Sequence, residues 1–357
     1  MSLLKMAVVG TGALGRHHAR ILSEFDDVRL VAVADTNPDS GRAVADACGT
    51  QWVADARDLL GEIDAVSIVV PTTAHLSVAA DFLSRGTATL VEKPLASSVA
   101  EAEQLVELSQ RHSAVLQVGH IERFNPAMQV ARNLCGKPKY IHAERLSPYA
   151  FRSTDIGVVL DLMIHDLDLI LDLAAAPILS VEAFGVSILG EHEDTAQARI
   201  HFEGGCIADV TASRVNPSAR RTMQVWSSLG CVDVDFATRK VVAYGPSERL
   251  LYGKSPLEKS REPGADVAQL KADIFGKYIE VHEPDVSNAD ALTAELRSFI
   301  ECVCGQHRPL VGGLEGLAAM QAADQVLNSL ADHQWNGSAH GAVGPFPAVD
   351  AQRKLAG

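Results

Sequence analysis

The 357-residue sequence contains no apolar run approaching the ~18 residues that a helix needs to cross a bilayer. It therefore holds no candidate membrane-spanning helix, and no membrane partner is expected. Positive charge is also in short supply. Lys and Arg number 31 against 45 Asp and Glu, for a net charge of −14. Such a surface repels polyanions, so nucleic acid is excluded as the main partner, while a local arginine cluster can still hold a small anion. The cysteines (Cys48, Cys135, Cys206, Cys231, Cys302 and Cys304) are scattered, and Cys302-Val-Cys304 has the wrong spacing for a zinc knuckle. Free thiols in a reducing compartment and no metal site are the expectation. The N-terminus, MSLLKMAVVGTG, lacks a long apolar stretch ahead of a small-residue cleavage site and reads as a first strand, so a cytoplasmic location is expected. Internal repeats and low-complexity segments are missing too. The length exceeds what one hydrophobic core usually supports, which points to two domains.

What is present alternates. Short apolar strands at 6–10, 29–35, 65–70, 89–92 and 115–119 are separated by helical stretches at about 12–25, 38–48, 76–85 and 98–112. Strands and helices in that rhythm predict a doubly wound parallel sheet, covered on both faces. The rhythm changes after about residue 120. An apolar-rich helix is predicted at 155–173, followed by longer alternating stretches at 181–188, 194–215 and 220–245, with turn signals such as Glu203-Gly204-Gly205. That pattern predicts a large, mostly antiparallel sheet with one open face. Residues 253–275 read as a charged surface excursion, and helices return at about 288–304 and 314–331. The expected division is 1–121, a dinucleotide-binding domain; 122–335, a substrate-binding and oligomerisation α/β domain; and 336–357, a tail. Apolar residues of the predicted sheet, such as Val181, Phe184 and Val186, suggest a patch through which a homodimer or homotetramer forms.

Gly10-Thr11-Gly12-Ala13-Leu14-Gly15 matches G-x-G-x-x-G between an apolar strand and a helix, the context in which the motif cradles a pyrophosphate. Gly10 permits the turn, Gly12 lets the phosphates approach the backbone, and Gly15 lets helix and strand pack closely. Asp35 ends the second strand, where a carboxylate meets the adenosine ribose and repels a 2′-phosphate. This favours NAD over NADP, unless Asp35 merely caps the turn before Asn37-Pro38.

Two further clusters carry chemistry. Glu92-Lys93-Pro94 follows a core strand, at the end where ligands bind in such sheets. An ammonium there can stabilise charge growing on a substrate oxygen. Asp161 and His165 are four apart on a predicted helix and share a face, placing a carboxylate beside an acid/base imidazole. Their neighbours Asp166 and Asp168 leave a core helix with an exposed acidic stripe as the alternative, and a metal site as a lesser one.

Taken in order, Gly10–Gly15, Pro71-Thr72-Thr-Ala-His75, Glu92-Lys93-Pro94 and Asp161-x-x-x-His165 resemble the glucose–fructose oxidoreductase / inositol dehydrogenase (Gfo/Idh/MocA) family, from about residue 5 to 331. The resemblance implies a Rossmann domain, an α/β domain with an open-faced sheet, and NAD-dependent hydride transfer at a sugar or cyclitol hydroxyl carbon. It implies catalytic roles for Lys93, His165 and Asp161, and a cofactor site of Gly10, Gly12, Ala13, Leu14, Gly15, Asp35, Pro71, Thr72, His75, Glu92 and Lys93. The bond before Pro94 is often cis in such proteins. The stretches Gly119–Ala127 and Asp155–Asp166 are similar to the nucleotide-sugar branch, which acts on the 3-hydroxyl of UDP-N-acetylhexosamines. That would place Lys93, Arg123, Asn125, Arg152, Asp161 and His165 at the substrate, with Arg145 another diphosphate candidate. His120 departs from the smaller or amide residues expected there. A dehydrogenase of a free sugar or cyclitol such as myo-inositol is the alternative reading, and a non-catalytic dinucleotide sensor a minor one.

Overall fold

A computed structural model describes residues 3–151, 155–189, 192–305 and 307–333. These fall into two compact units, one of 3–124 with 289–324 and one of 125–288 with 325–333.

The first unit begins β1 (Leu4–Val9), α1 (Gly15–Ser23), β2 (Val28–Ala34), α2 (Pro38–Cys48) and β3 (Gln51–Val53). It continues β4 (Ala65–Ile68), α3 (His75–Leu83), β5 (Ala88–Glu92), α4 (Val99–His112) and β6 (Leu116–Gly119). The strands form a six-stranded sheet in the order β3-β2-β1-β4-β5-β6, with every pairing parallel. β4 and β5 are buried along their whole length, as strands covered on both faces must be. The chain reverses its direction of travel between β1 and β4. The carboxyl ends of β1, β2, β4 and β5 therefore open on one edge, where a crevice forms. The edge strand β3 was not foreseen: Gln-Trp-Val is too short to show a period. Its Trp52 Nε1 donates to the Asp35 carbonyl at 3.0 Å and pins the end of β2.

The second unit holds α5 (Pro126–Cys135), β7 (Pro138–Leu146), α6 (Ile164–Ala174), β8 (Ile178–Val186), β9 (Thr195–Phe202) and β10 (Ile207–Ser213). Then come β11 (Arg220–Ser227), β12 (Gly230–Asp235), β13 (Lys240–Pro246), α7 (Glu248–Tyr252), α8 (Pro256–Ser260), α9 (Val267–Asp273) and β14 (Ile279–His282). Its eight-stranded sheet runs β14-β13-β12-β11-β7-β10-β9-β8, antiparallel except where β7 meets β10. α5 and α6 pack on the sheet. β9 alternates accordingly, with Ala196, Ala198 and Ile200 buried and Gln197 and Arg199 exposed. The stretch 253–275 carries α8 and α9, neither with a buried residue.

Two helices close the described chain, α10 (Ala291–Gly305) and α11 (Gly313–Asp332). The expected second domain, 122–335, is not one continuous stretch. α10 inserts Leu292, Leu296, Phe299 and Ile300 into the core of Met6, Val8, Leu22 and Leu90, so 289–324 returns to the first unit. A tail at 336–357 lies outside the described residues.

Three readings of side-chain placement need correction. The helix expected at 155–173 is two elements, a π-helical turn at Val159–Met163 and then α6. The exposed acidic stripe is absent from α6, since Asp166 and Asp168 are each 1% exposed. Val181 and Phe184 point to opposite faces of β8. Phe184 is exposed beside Glu182, and the open face there also carries the Arg199–Asp209 ion pair.

Arg145 is likewise no surface arginine waiting for a diphosphate. Its Nε and Nη2 donate to the two oxygens of Asp166 at 2.9 Å each, and both side chains are nearly inaccessible. Removing one member of such a pair strands the other charge in the interior. Arg145→Leu is expected to cost about 3–5 kcal/mol. Arg145→Leu combined with Asp166→Leu should recover much of that loss, as read by urea denaturation.

Candidate functional site

The glycine loop between β1 and α1 is built as the motif requires. Gly10 has φ +94°, and a Cβ there would stand 2.3 Å from the Val69 carbonyl oxygen. A Cβ on Gly15 would stand 1.9 Å from the Gly10 carbonyl oxygen, so α1 packs closer to the loop than any other residue allows. Gly12 faces open space, with nothing within 4 Å of its Cβ position. No side chain caps α1, and its first turn has no acidic residue. The N–H groups there are left for an anionic ligand, and the helix dipole favours one.

Beside the loop lies a cavity of about 560 Å³, lined by Val9, Gly10, Gly12, Asp35, Arg57 and Pro71 among others. Asp35 caps the turn before Asn37 and also lines the cavity. Its Oδ2 accepts from the Thr11 N–H and hydroxyl at 2.7 Å each, and its Oδ1 accepts from the Asn37 N–H at 2.8 Å, yet it remains on the cavity wall. Burial works to raise the Asp35 carboxyl, but these hydrogen bonds outweigh it and hold the group below its ordinary value. The space, the open Gly12, the uncapped helix and the fixed carboxylate fit a dinucleotide. Thr11 and Arg57 were missed in the sequence. Thr11 is an unassigned position inside the motif, and Arg57 follows the unforeseen β3, held by Asp55.

Not every expected cofactor residue reaches the cavity. Thr72 and His75 are buried and absent from its lining, and the exposed Ala13 and Leu14 are absent from it too. His75 Nδ1 lies 2.9 Å from the Pro94 carbonyl and Nε2 lies 3.0 Å from the Val70 carbonyl. Burial holds this imidazole below its ordinary pKa, against the pull of the two carbonyls. His75 is a bracket joining the turn after β4 to the loop after β5. Glu92 also turns inward, 8% exposed, with its carboxylate where a Gly119 Cβ would sit. Lys93 follows, half-buried at the end of β5, and its bond to Pro94 is cis.

Among the expected substrate residues, Arg123 is buried in a 3₁₀ turn at Ile121–Phe124. Asn125 is committed to structure: its Oδ1 caps α5 by accepting from the Ala127 N–H, and its Nδ2 donates to the Phe236 carbonyl. Arg152 lies outside the described residues. In the second unit, Asp161 sits in the π-helical turn and His165 in the first turn of α6, both half-buried. With Asp166 and Asp168 turned inward, Asp161 is a partly accessible carboxylate one helical turn before His165. π-helical turns are enriched at functional sites.

The Asp35 carboxylate on the cavity wall generates a measurable preference. NADP(H) should bind at least about 10-fold more weakly than NAD(H), and Asp35→Ser should narrow that gap because the repulsive element is gone. Fluorescence titration of both reduced cofactors checks this. Equal affinities in the unaltered protein would contradict the role given to Asp35.

Residues 4–120 match the model of an oxidoreductase family with an NAD-binding Rossmann fold, and residues 128–233 match the GFO/IDH/MocA C-terminal domain. The chain is 34% identical to the UDP-N-acetylglucosamine 3-dehydrogenase of Acidithiobacillus ferrooxidans, over 90% of this chain and 96% of that one. A solved structure of that dehydrogenase superposes with a TM-score of 0.80 at 32% identity, covering 92% of this chain and 98% of the other. The scyllo-inositol 2-dehydrogenase (NAD(+)) of Bacillus subtilis is 33% identical over 60% of this chain and 68% of its own. A scyllo-inositol dehydrogenase from Lactobacillus casei, solved with bound NAD(H) and scyllo-inositol, shares the fold, with a TM-score of 0.71 at 20% identity. With both family domains matched in order, the chain belongs to the GFO/IDH/MocA family of NAD-binding oxidoreductases.

Proposed function

We propose that this dehydrogenase oxidises the 3-hydroxyl of a UDP-N-acetylhexosamine, with NAD held by the first unit as the hydride acceptor. The observation that carries the substrate is the end-to-end similarity to a UDP-N-acetylglucosamine 3-dehydrogenase. A cyclitol or free-sugar substrate is the second reading, favoured by the similarity to a scyllo-inositol 2-dehydrogenase. Incubating the protein with NAD and a panel of UDP-sugars, free sugars and inositols, and following the absorbance of reduced nicotinamide, separates the two.

The nicotinamide, when bound, accepts the hydride from the carbinol carbon. The chain's own residues handle the charge and the proton. As the C–H bond breaks, the hydroxyl oxygen gains negative charge, and the Lys93 ammonium stabilises it. His165 accepts the hydroxyl proton, and the Asp161 carboxylate favours the imidazolium that results. The Gly10–Gly15 loop and the α1 N-terminus hold the pyrophosphate, and Asp35 holds the adenosine ribose. Arg123 remains the proposed diphosphate ligand among the described residues, its burial suiting a desolvated site.

The working form is proposed to be a cytoplasmic homodimer or homotetramer. Its six free thiols suit a reducing compartment, and no described helix is long and apolar enough to cross a membrane. The open face of the eight-stranded sheet carries Phe184 and Trp226, 41% and 40% exposed. Light scattering at micromolar protein should give a multiple of the chain mass, and Phe184→Glu should lower it. A monomer in the unaltered protein would overturn the assembly.

Lys93→Ala and His165→Ala should each lower turnover by roughly 10²-fold or more. Both variants should keep NAD affinity, because the glycine loop and Asp35 are untouched. Asp161→Asn should lose less, and the double alanine variant should fall short of the product of the single losses. Turnover and melting temperature measured on the same samples decide the matter: near-normal turnover in both alanine variants removes these roles.

A further inference from the structure

The interior of the first unit contains a chain of polar side chains that the chemistry above does not use. His18, fully buried on α1, places Nδ1 2.8 Å from the Ser67 hydroxyl on β4. Its Nε2 lies 3.2 Å from Glu92 Oε1, within ion-pair distance though not aligned as a hydrogen bond. Glu92 Oε2 accepts from the Lys93 N–H at 3.2 Å. Gly119, the register partner of Glu92 on β6, must lack a side chain, because a Cβ would stand 2.9 Å from the Glu92 carboxylate. Behind this chain sits Glu295 on α10, 0% exposed, with no hydrogen-bond partner on either oxygen. The neighbouring Gln117 donates Nε2 to the Glu295 carbonyl at 3.1 Å, while its Oε1 has no partner.

A buried carboxyl without a partner is costly, and an apolar residue of similar volume would avoid the cost. Burial, and then the negative charge of Glu92, push the Glu295 pKa well above its ordinary value, so this side chain keeps its proton. A neutral acid there adds no second charge behind Glu92 and offers one O–H donor to a region of unmet acceptors. The other titratable groups on the packed elements are few. α1 contributes His18 as its buried member, Arg16, His17 and Arg20 being exposed. The end of β6 contributes His120, and the turn at Ile121–Phe124 contributes Glu122 and Arg123, all buried. On α10 itself, Arg297 is paired to Asp27.

We propose that His18 and Glu295 are positioning residues for Lys93, acting through Glu92. His18 faces one oxygen of the Glu92 carboxylate at ion-pair distance, and the other oxygen accepts from the Lys93 backbone N–H. The helix that receives the cofactor phosphates is thereby tied to the backbone of the lysine that stabilises the reacting oxygen. Glu295, while neutral, leaves that arrangement undisturbed. Once ionised, it sets a second negative charge against Glu92 in a dry interior, and the bracket loosens. The inference rests on the role given to Lys93 above. It adds that activity has an alkaline limb set by a residue that touches neither substrate nor cofactor.

The sign of the stability effect follows from linkage. The folded protein holds the Glu295 proton at pH values where the unfolded chain has lost it. Stability therefore falls as pH rises from the ordinary glutamate range toward the raised folded value. Glu295→Gln, permanently neutral and nearly isosteric, removes that slope. Its melting temperature should gain on the unaltered protein as pH rises, and its kcat profile should extend to higher pH with KM for NAD unchanged. His18→Ala should lower kcat by roughly 10-fold or more through misplacement of Lys93. His18→Asn, which keeps a polar group toward Ser67, should recover part of that loss, with melting temperatures confirming that both variants fold. A Glu295→Gln profile of kcat and melting temperature that superimposes on the unaltered protein overturns the inference, and so does full kcat in folded His18→Ala. Either result alongside a crippled Lys93→Ala would leave the Lys93 reading standing, whereas normal turnover in Lys93→Ala would remove that reading and this inference with it.

Discussion

The contact on which the first unit turns is backbone against backbone, where α1 meets the loop that precedes it. A methyl group on Gly15 would stand 1.9 Å from the Gly10 carbonyl oxygen, so the helix approaches at a distance no other residue permits. That approach aims the uncapped helix N-terminus at the crevice. It also brings His18, one turn further along α1, against Ser67 and Glu92 at the far side of β1. The exposed N-terminus of α1 and the placing of His18 against Ser67 and Glu92 therefore share one mechanical origin. The sheet order supplies the rest, because a reversal between β1 and β4 lets four strand ends converge on one edge.

Histidine is used in two opposed ways. His18 and His75 are 0% and 1% exposed, with their ring nitrogens facing protein groups: Ser67 and Glu92 for one, the Val70 and Pro94 carbonyls for the other. Both act on the loop that carries Lys93, one through Glu92 and one through Pro94. An imidazole used this way is a rigid two-ended spacer, and at His75 burial disfavours the charged form. His165, by contrast, is half-buried on its helix. Sequence alone does not separate these uses, which is why His75 read as a cofactor residue and His18 passed unnoticed inside α1.

The fold was legible because its signals are periodic. Continuous apolar strands, a glycine loop in the right context and alternation after residue 180 lead directly to a parallel sheet and an open antiparallel one. What stayed hidden lacks a period or depends on a distant partner. β3 is three residues long, and β7 lies mid-sheet against strands far away in sequence. The return of α10 to the first core follows from where Leu296 and Phe299 find apolar neighbours, which helical periodicity cannot tell. At the site, the glycine loop was legible because Gly10 and Gly15 do steric jobs fixed by their place after a strand, and Asp35 reaches the cavity wall because it ends the next strand. Asn125 and Arg145 were misjudged because polar residues in suggestive positions were spent on capping α5 and on pairing with Asp166.

The second unit secures its reactive segment with buried charge. Glu193, 5% exposed, accepts from the Val159 N–H at 3.0 Å and fills the space that the missing side chain of Gly157 leaves. Arg214, 6% exposed, donates to the Ile156 carbonyl at 2.7 Å and is itself held by Asp194. Arg145 grips Asp166 immediately after His165. Residues 156–166 are thus fastened near their start, middle and end by buried polar side chains drawn from β7 and from segments flanking β9 and β10. Such groups are costly to bury and gain little net stability over apolar replacements. Their placement is better explained by geometry. A π-helical turn is a rare way to carry Asp161, and its neighbours fix the backbone on either side of it. The two units share one pattern: Lys93 in the first and Asp161 and His165 in the second are half-buried, and the residues beside them are locked from within.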